Sequence, residues 1–201
     1  MWVVKLGGSL LGQPELKTWL SLLARQSDGR VVIVPGGGVF ADAVRSAQVS
    51  GGFDDATAHH MALLAMEQFG LLMRALRPEL VTASSELEIA ERSWQHRAII
   101  WMPSSMVLAD RKIPTNWTVT SDSLAAWLAR KIGADRLVLV KHAGCSEQPL
   151  PIDHLVEQGL LDSAFAEFSA PLTCPIQMIA KTASGAFADA LAGASRPVRA
   201  I

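Results

Sequence analysis

The sequence predicts an α/β fold with a mostly parallel central sheet, and three observations predict it. Short β-rich runs alternate with helical patterns along the chain, as strand–helix–strand crossovers and a sheet covered on both faces require. Two of the runs end in glycine-rich turns, "KLGGS" at 5–9 and "VPGGG" at 34–38. The 201 residues suit one sizeable core and show no linker-like stretch, so residues 1–201 are read as a single domain.

The first strand is expected over Trp2–Leu6, apolar apart from Lys5. A buried ammonium is costly unless an anion offsets its desolvation, so something negative is expected beside Lys5. A helix over 15–25 follows Pro14, a residue favoured at the first helical position. The second strand, 31–34, runs into Gly36, Gly37 and Gly38, and a helix over 39–48 begins there. The longest helical pattern is 56–77, stopped by Pro78. Met61, Leu64, Gln68 and Leu72 form one stripe of it, while Leu63, Met66, Phe69, Met73 and Leu76 cover much of the rest. A helix apolar nearly all round is buried on more than one side. It is either a central core helix or a subunit interface, where methionine-rich surfaces are common, and a homo-oligomer through 56–77 is expected.

A further strand is expected at 98–101. A helix over 122–132 follows "TS" and stops at Gly133, the next strand spans 137–141, and a weaker one lies at 176–179. Between these last two, Pro149, Pro151, Pro171 and Pro175 punctuate 147–175 around two short helical pieces. That stretch is a candidate flap over a site.

Composition narrows the function. The 18 basic residues nearly cancel the 19 acidic ones, so charge suggests neither nucleic acid nor an anionic membrane as partner. No signal-peptide pattern opens the sequence and no apolar run approaches a membrane span, so a soluble cytoplasmic protein is expected. Cys145 and Cys174 are too far apart for CxxC chemistry, and no zinc-spaced Cys/His set occurs; both cysteines read as small packing residues.

The glycine turns carry the chemistry. Ligands gather beyond the carboxyl ends of parallel strands, so both turns reach one edge. Gly7, Gly8, Gly36, Gly37 and Gly38 open the backbone to phosphate oxygens, aided by the positive N-terminus of the following helix. Phosphate is then the anion expected at Lys5. A Walker loop is excluded, because no glycine here precedes a lysine. "GGGVFA" fits the GxGxxA of a dinucleotide site, but the acidic residue expected after a second strand is not clearly present, Asp54 and Asp55 falling before a helix. Glycines serving only tight turns are the plain alternative. Asp122, behind Thr120 and Ser121, either caps its helix or faces a cationic site. Together with Lys5 it suits phosphoryl transfer, which needs cations to neutralise charge and an anion to hold them.

"VVKLGGSL", "VVIVPGGG" and "TSDSLAAWLARKIGADRLVLVK" resemble, in order and over most of the chain, the three main signatures of the amino acid kinase family, the fold of acetylglutamate kinase, carbamate kinase and bacterial uridylate kinase. The resemblance implies a three-layer αβα sandwich, Mg-ATP as donor and direct in-line transfer to an anionic oxygen of a small-molecule acceptor. Residue by residue it implies that Lys5 contacts the transferring group, that Gly7, Gly8 and Ser9 bind donor phosphates, and that Gly36, Gly37 and Gly38 stabilise the group in flight. Asp122 would orient the lysines, Lys181 in "MIAKTASG" is the candidate second active lysine, and Lys141, also a candidate nucleotide contact, is its competitor. "VKHAGC" stands where many relatives have "TD" or "KDVDG" lining the nucleotide site. No metal ligand is assigned, since phosphates and water can hold most of the Mg²⁺ shell.

A narrower likeness lies in "GGGVFADAVR", "TAHHMALLAMEQFG" and "IPTNWTVTSDSLAAWLA", which resemble small kinases associated with the furan moiety of methanofuran-type cofactors. It implies a phosphomonoester acceptor, aminomethylfuranmethyl phosphate, converted to its diphosphate. Arg45, two turns along the helix after Gly38, is a candidate acceptor ligand or a solvated arginine. His59 is a candidate acceptor ligand or a packing residue, and Trp117 a stacking platform or a core aromatic. A nucleotide-binding regulatory or assembly protein without transfer activity is the alternative reading.

Overall fold

The computed structural model describes residues 1–142 and 151–193. Cys145, the last three residues of "VKHAGC" and the first residues of the 147–175 stretch lie outside the described residues. Six strands, β1 (Trp2–Leu6), β2 (Val31–Pro35), β3 (Val81–Ala83), β4 (Ile99–Trp101), β5 (Arg136–Lys141) and β6 (Ile176–Ala180), form one sheet in the order β3-β4-β2-β1-β5-β6. Every neighbouring pair is parallel. The helices are α1 (Pro14–Gln26), α2 (Gly38–Gly51), α3 (Asp55–Leu76), α4 (Glu86–Trp94), α5 (Ser104–Ala109), α6 (Ser121–Lys131), α7 (Ile152–Glu157), α8 (Phe165–Ser169) and α9 (Ser184–Leu191).

Period-2 alternation sorts each strand's side chains between two cores. Val3, Val34, Leu137 and Leu139 join one cluster with Leu124 and Leu128 of α6. Val4, Leu6, Val138 and Val140 join the other, with Trp19 and Leu20 of α1 and Phe187 of α9. Lys5 shares the parity of Val3, and Lys141 that of Leu139, so both lysines stand on the α6 face. The register pairs Lys5 with Leu139, which puts Lys141 two residues nearer the carboxyl edge.

β3, α4, α5 and α9 add to the elements expected from sequence. The three residues of β3, at the sheet edge, are too few to show a period. α4 carries a serine cap, Ser85 Oγ accepting from Glu88 N at 3.2 Å while the Glu88 carboxylate accepts from Ser84 N at 2.6 Å. Asp54, unassigned as a ribose ligand, caps α3 by accepting from Thr57 N at 2.7 Å.

The stretch expected to be a flap is core over its described part. Leu155, Leu161, Ala164 and Phe165 are buried in the same cluster as α6, so 151–175 is a packed layer rather than a cover. Cys174 is half-buried against that cluster, and burial pushes its thiol pKa up. α3 serves as a core helix, with Leu63, Met66, Phe69 and Met73 buried, yet it leaves Leu64 and Leu71 exposed. Among the described residues no helix is long and apolar enough to cross a membrane.

Candidate active site

The charge centre lies at the carboxyl edge of β1 and β5. Lys5 Nζ stands 3.0 Å from Asp122 Oδ1, and Lys141 Nζ donates to Asp122 Oδ2 at 2.7 Å. Lys5 and Asp122 are 6 % and 5 % exposed, so water screens little of their attraction. Burial alone would raise the Asp122 carboxyl, but the Lys5 and Lys141 ammoniums overcome it and hold the group below its ordinary value. Burial first, then the Lys5 charge, brings the Lys141 ammonium down to about 8 against the pull of Asp122. One carboxylate thus fixes two cations side by side, with formal charge left over for an anion.

The two glycine turns meet backbone to backbone beside this centre. A Cβ on Gly8 would stand 2.1 Å from Gly38 N and 2.2 Å from Gly38 Cα, and one on Gly36 would stand 2.5 Å from Gly8 N. Gly38 also takes a φ of +53° as it opens α2, a conformation glycine adopts without strain. A Cβ on Gly7 would meet Lys5 Nζ at 3.6 Å, an ordinary contact, so Gly7 is not part of this interlock. No side chain caps the N-terminus of α2, which leaves its first amides for an anion.

These turns form one wall of a cleft of about 180 Å³, which Gly8, Ser9, Gly37, Gly38, Arg45, His59, Trp117 and Ser121 help to line. The cleft gathers the three candidate acceptor residues. The Arg45 guanidinium lies 4.3 Å from the Trp117 ring centroid and pairs with Asp42 at 3.0 Å. Trp117 is held in turn, its Nε1 donating to Gln48 Oε1 at 2.7 Å, and Gln48 Nε2 donates to Asp55 Oδ1 at 2.8 Å. His59 is 4 % exposed and its Nε2 has no hydrogen-bond partner among the described residues. Burial lowers its pKa, partly opposed by the Asn116 backbone, so the ring is neutral near pH 7.

Lys181 follows β6 beside Lys141, its N donating to Lys141 O at 2.8 Å, but its side chain is engaged elsewhere. Its Nζ pairs with Glu15 Oε1 at 3.1 Å and donates to Gln13 Oε1 at 3.2 Å, and its carbonyl accepts from Trp19 Nε1 at 2.7 Å. The structure therefore places Lys141, not Lys181, on Asp122. Asp162 had no signal in the sequence. From the turn before α8 its carboxylate accepts from Thr120 N at 2.9 Å and Ser123 N at 3.0 Å, so of the two readings of Asp122 the cationic one holds and the cap comes from another segment. Among the described residues no three His, Cys, Asp or Glu side chains are grouped to hold a metal ion.

The chain is similar to known proteins in sequence and in fold. The model of the amino acid kinase family matches residues 1–144. The [5-(aminomethyl)furan-3-yl]methyl phosphate kinase of Methanocaldococcus jannaschii is 28 % identical over 142 residues, which are 69 % of this chain and 64 % of that protein. The fold is similar to that of uridylate kinase from Archaeoglobus fulgidus, with a TM-score of 0.70 at 20 % identity over 96 % of this chain and 95 % of that one. UMP kinase from Ureaplasma parvum gives 0.70 at 16 % identity over the same shares. Aspartate kinase from Synechocystis gives 0.67 at 15 % identity, over 90 % of this chain and 38 % of that one.

Proposed function

The chain belongs to the amino acid kinase family, and from that premise we propose that it is a small-molecule kinase transferring the γ-phosphoryl group of Mg-ATP to an anionic acceptor. The observation that carries the reading is the pair of buried lysines bridged by Asp122 beside two interlocked glycine turns. ATP, as Mg-ATP, supplies the phosphoryl group and the charge that has to be stabilised. Lys5 and Lys141 offer positive charge where negative charge spreads in the transition state. Asp122 holds them without reorganisation. The bare amides at the start of α2 and the Gly7–Gly8 backbone are placed to receive phosphate oxygens, and Ser9 adds a hydroxyl.

The proposed acceptor is a phosphomonoester, with [5-(aminomethyl)furan-3-yl]methyl phosphate as the leading candidate because the curated relative carries that substrate in its name. An acceptor phosphate oxygen is already ionised at pH 7, so no general base is required. It attacks the γ-phosphorus, a new P–O bond forms, and the bond to the β-phosphate oxygen breaks to leave ADP. Arg45 and the fixed Trp117 ring suit an anionic, flat molecule, and neutral His59 suits an uncharged contact. We place the chain in a homo-oligomer through α3, whose Leu64 and Leu71 are exposed beside a methionine-rich core face.

Acceptor-dependent release of ADP from Mg-ATP tests the reading. Wild type should show saturable release with the furan phosphate, and Lys5→Ala should lose it by about 10³-fold or more, the scale of removing an electrostatic stabiliser. ATP binding without acceptor-dependent release would favour a non-catalytic nucleotide-binding subunit instead.

A further inference from the structure

Asp162 lies in the turn between α7 and α8, outside the glycine turns and the lysine cluster. Its Oδ2 accepts from Thr120 N at 2.9 Å, Thr120 Oγ1 at 2.7 Å and Ser123 N at 3.0 Å, and its Oδ1 accepts from Ser123 Oγ. Two orphan amides and two hydroxyls of the first turn of α6 thus converge on one carboxylate from 42 residues downstream of Thr120. No side chain of the helix itself caps that end. The anchor is rigid, because Leu161 beside it and Phe165 just beyond are both buried.

The consequence falls on Asp122, which sits inside that first turn. A first-turn aspartate is ordinarily drawn to the helix's own free amides and positive end. With Asp162 serving them, Asp122 is released to bridge Lys5 and Lys141. Resting on the kinase reading above, we propose that Asp162 is a positioning residue, which fixes the first turn of α6 so that Asp122 stands between the two lysines and adds a second negative charge on the Lys141 side. Among the described residues, the charged groups acting on Lys141 are Lys5 from β1, Asp122 from α6 and Asp162 from the α7–α8 turn. Asp162 favours the charged ammonium against burial and Lys5.

Asp162→Asn and Asp162→Ala in the full chain test the role. Asparagine keeps a carbonyl for the Thr120 and Ser123 amides but loses the charge, whereas alanine loses both. Asp162→Ala should lower kcat by about 10²-fold, the scale of a small misplacement of catalytic groups, with little change in KM for ATP. Asp162→Asn should keep its thermal stability, while an NMR titration of the lysine ammoniums, with Lys141 assigned by its absence in Lys141→Arg, shows Lys141 losing its proton at lower pH than in wild type. The alkaline fall of kcat should move down with it. A Lys141 titration unchanged in Asp162→Asn, or a wild-type kcat in Asp162→Ala, would overturn the proposal and leave a plain helix cap. Wild type without turnover on any acceptor would contradict the kinase reading, and the titration, which needs no turnover, would still decide the role of Asp162.

Discussion

A lysine at the end of an apolar strand demands a counter-charge, and Asp122 meets that demand for Lys5 at 3.0 Å while holding Lys141 at 2.7 Å. Removing the shared carboxylate strands two buried ammoniums. Asp122→Ala should therefore lose activity and also about 3–5 kcal/mol of stability by urea denaturation; a variant as stable as wild type would show that the pairs are not the buried bridge described. Lys141 sets the pH dependence. Its ammonium is down at about 8 through burial, so kcat should fall as pH rises through that value and the cation is lost. The unfolded chain holds this proton up to about 10.4, so it binds more protons than the folded chain between the two values. Stability should accordingly gain from this group as pH rises across that window; a flat kcat there would mean that the charge of Lys141 is not used. Lys5 and Asp122 were legible because each is odd in its local pattern. Which of Lys141 and Lys181 stands on Asp122 was not, since each lies at or just past the carboxyl end of a strand, and only the sheet parity and the Glu15 contact separate them. Asp162 was not legible either, because its partners are brought to it by tertiary packing.

At the scale of elements, the glycine turns act as an interlocked pair. Gly8→Ala would drive a Cβ to 2.1 Å from backbone that has no flexible end to yield, so the turns must part and the cleft wall with them. Its transfer rate should drop well below the wild-type rate, while Gly185→Ala, in α9 with nothing within 4 Å of the added atom, should be neutral or stabilising by about 0.5–1 kcal/mol. Equal activity in the two variants would contradict the interlock. These turns and the strands feeding them were readable because glycines directly after an apolar run have few other uses. β3 at the sheet edge was hidden by its three-residue length. α4 was missed although "SSELE" announces a capped start, because its exposed Leu87 and Trp94 blur the amphipathic pattern that reading relied on. The proline-rich stretch misled in the other direction: Pro151 and Pro171 flank short helices that bury Leu155 and Phe165, and prolines alone do not distinguish a packed layer from a flap.

For the whole molecule, alternation of strands and helices announced a parallel sheet but not its order, because the strand neighbours are set by which crossovers bury most surface. The order β3-β4-β2-β1-β5-β6 is what brings β1 and β5 side by side and so lets two lysines 136 residues apart, by their numbers in the sequence, share one carboxylate. The same assembly leaves a stripe on α3, with Leu71 52 % exposed and Leu64 nearby. Replacing both with glutamate should convert an oligomer to a monomer in sedimentation velocity with the fold kept, and a monomeric wild type would contradict the proposed interface. Phosphorus NMR of the wild-type protein with Mg-ATP and [5-(aminomethyl)furan-3-yl]methyl phosphate tests the central claim most directly. The account predicts that the γ-phosphate signal of ATP declines as ADP and the pair of doublets of a new organic diphosphate grow. An unchanged ATP spectrum with this acceptor and with UMP, under conditions where ATP binds, would contradict it.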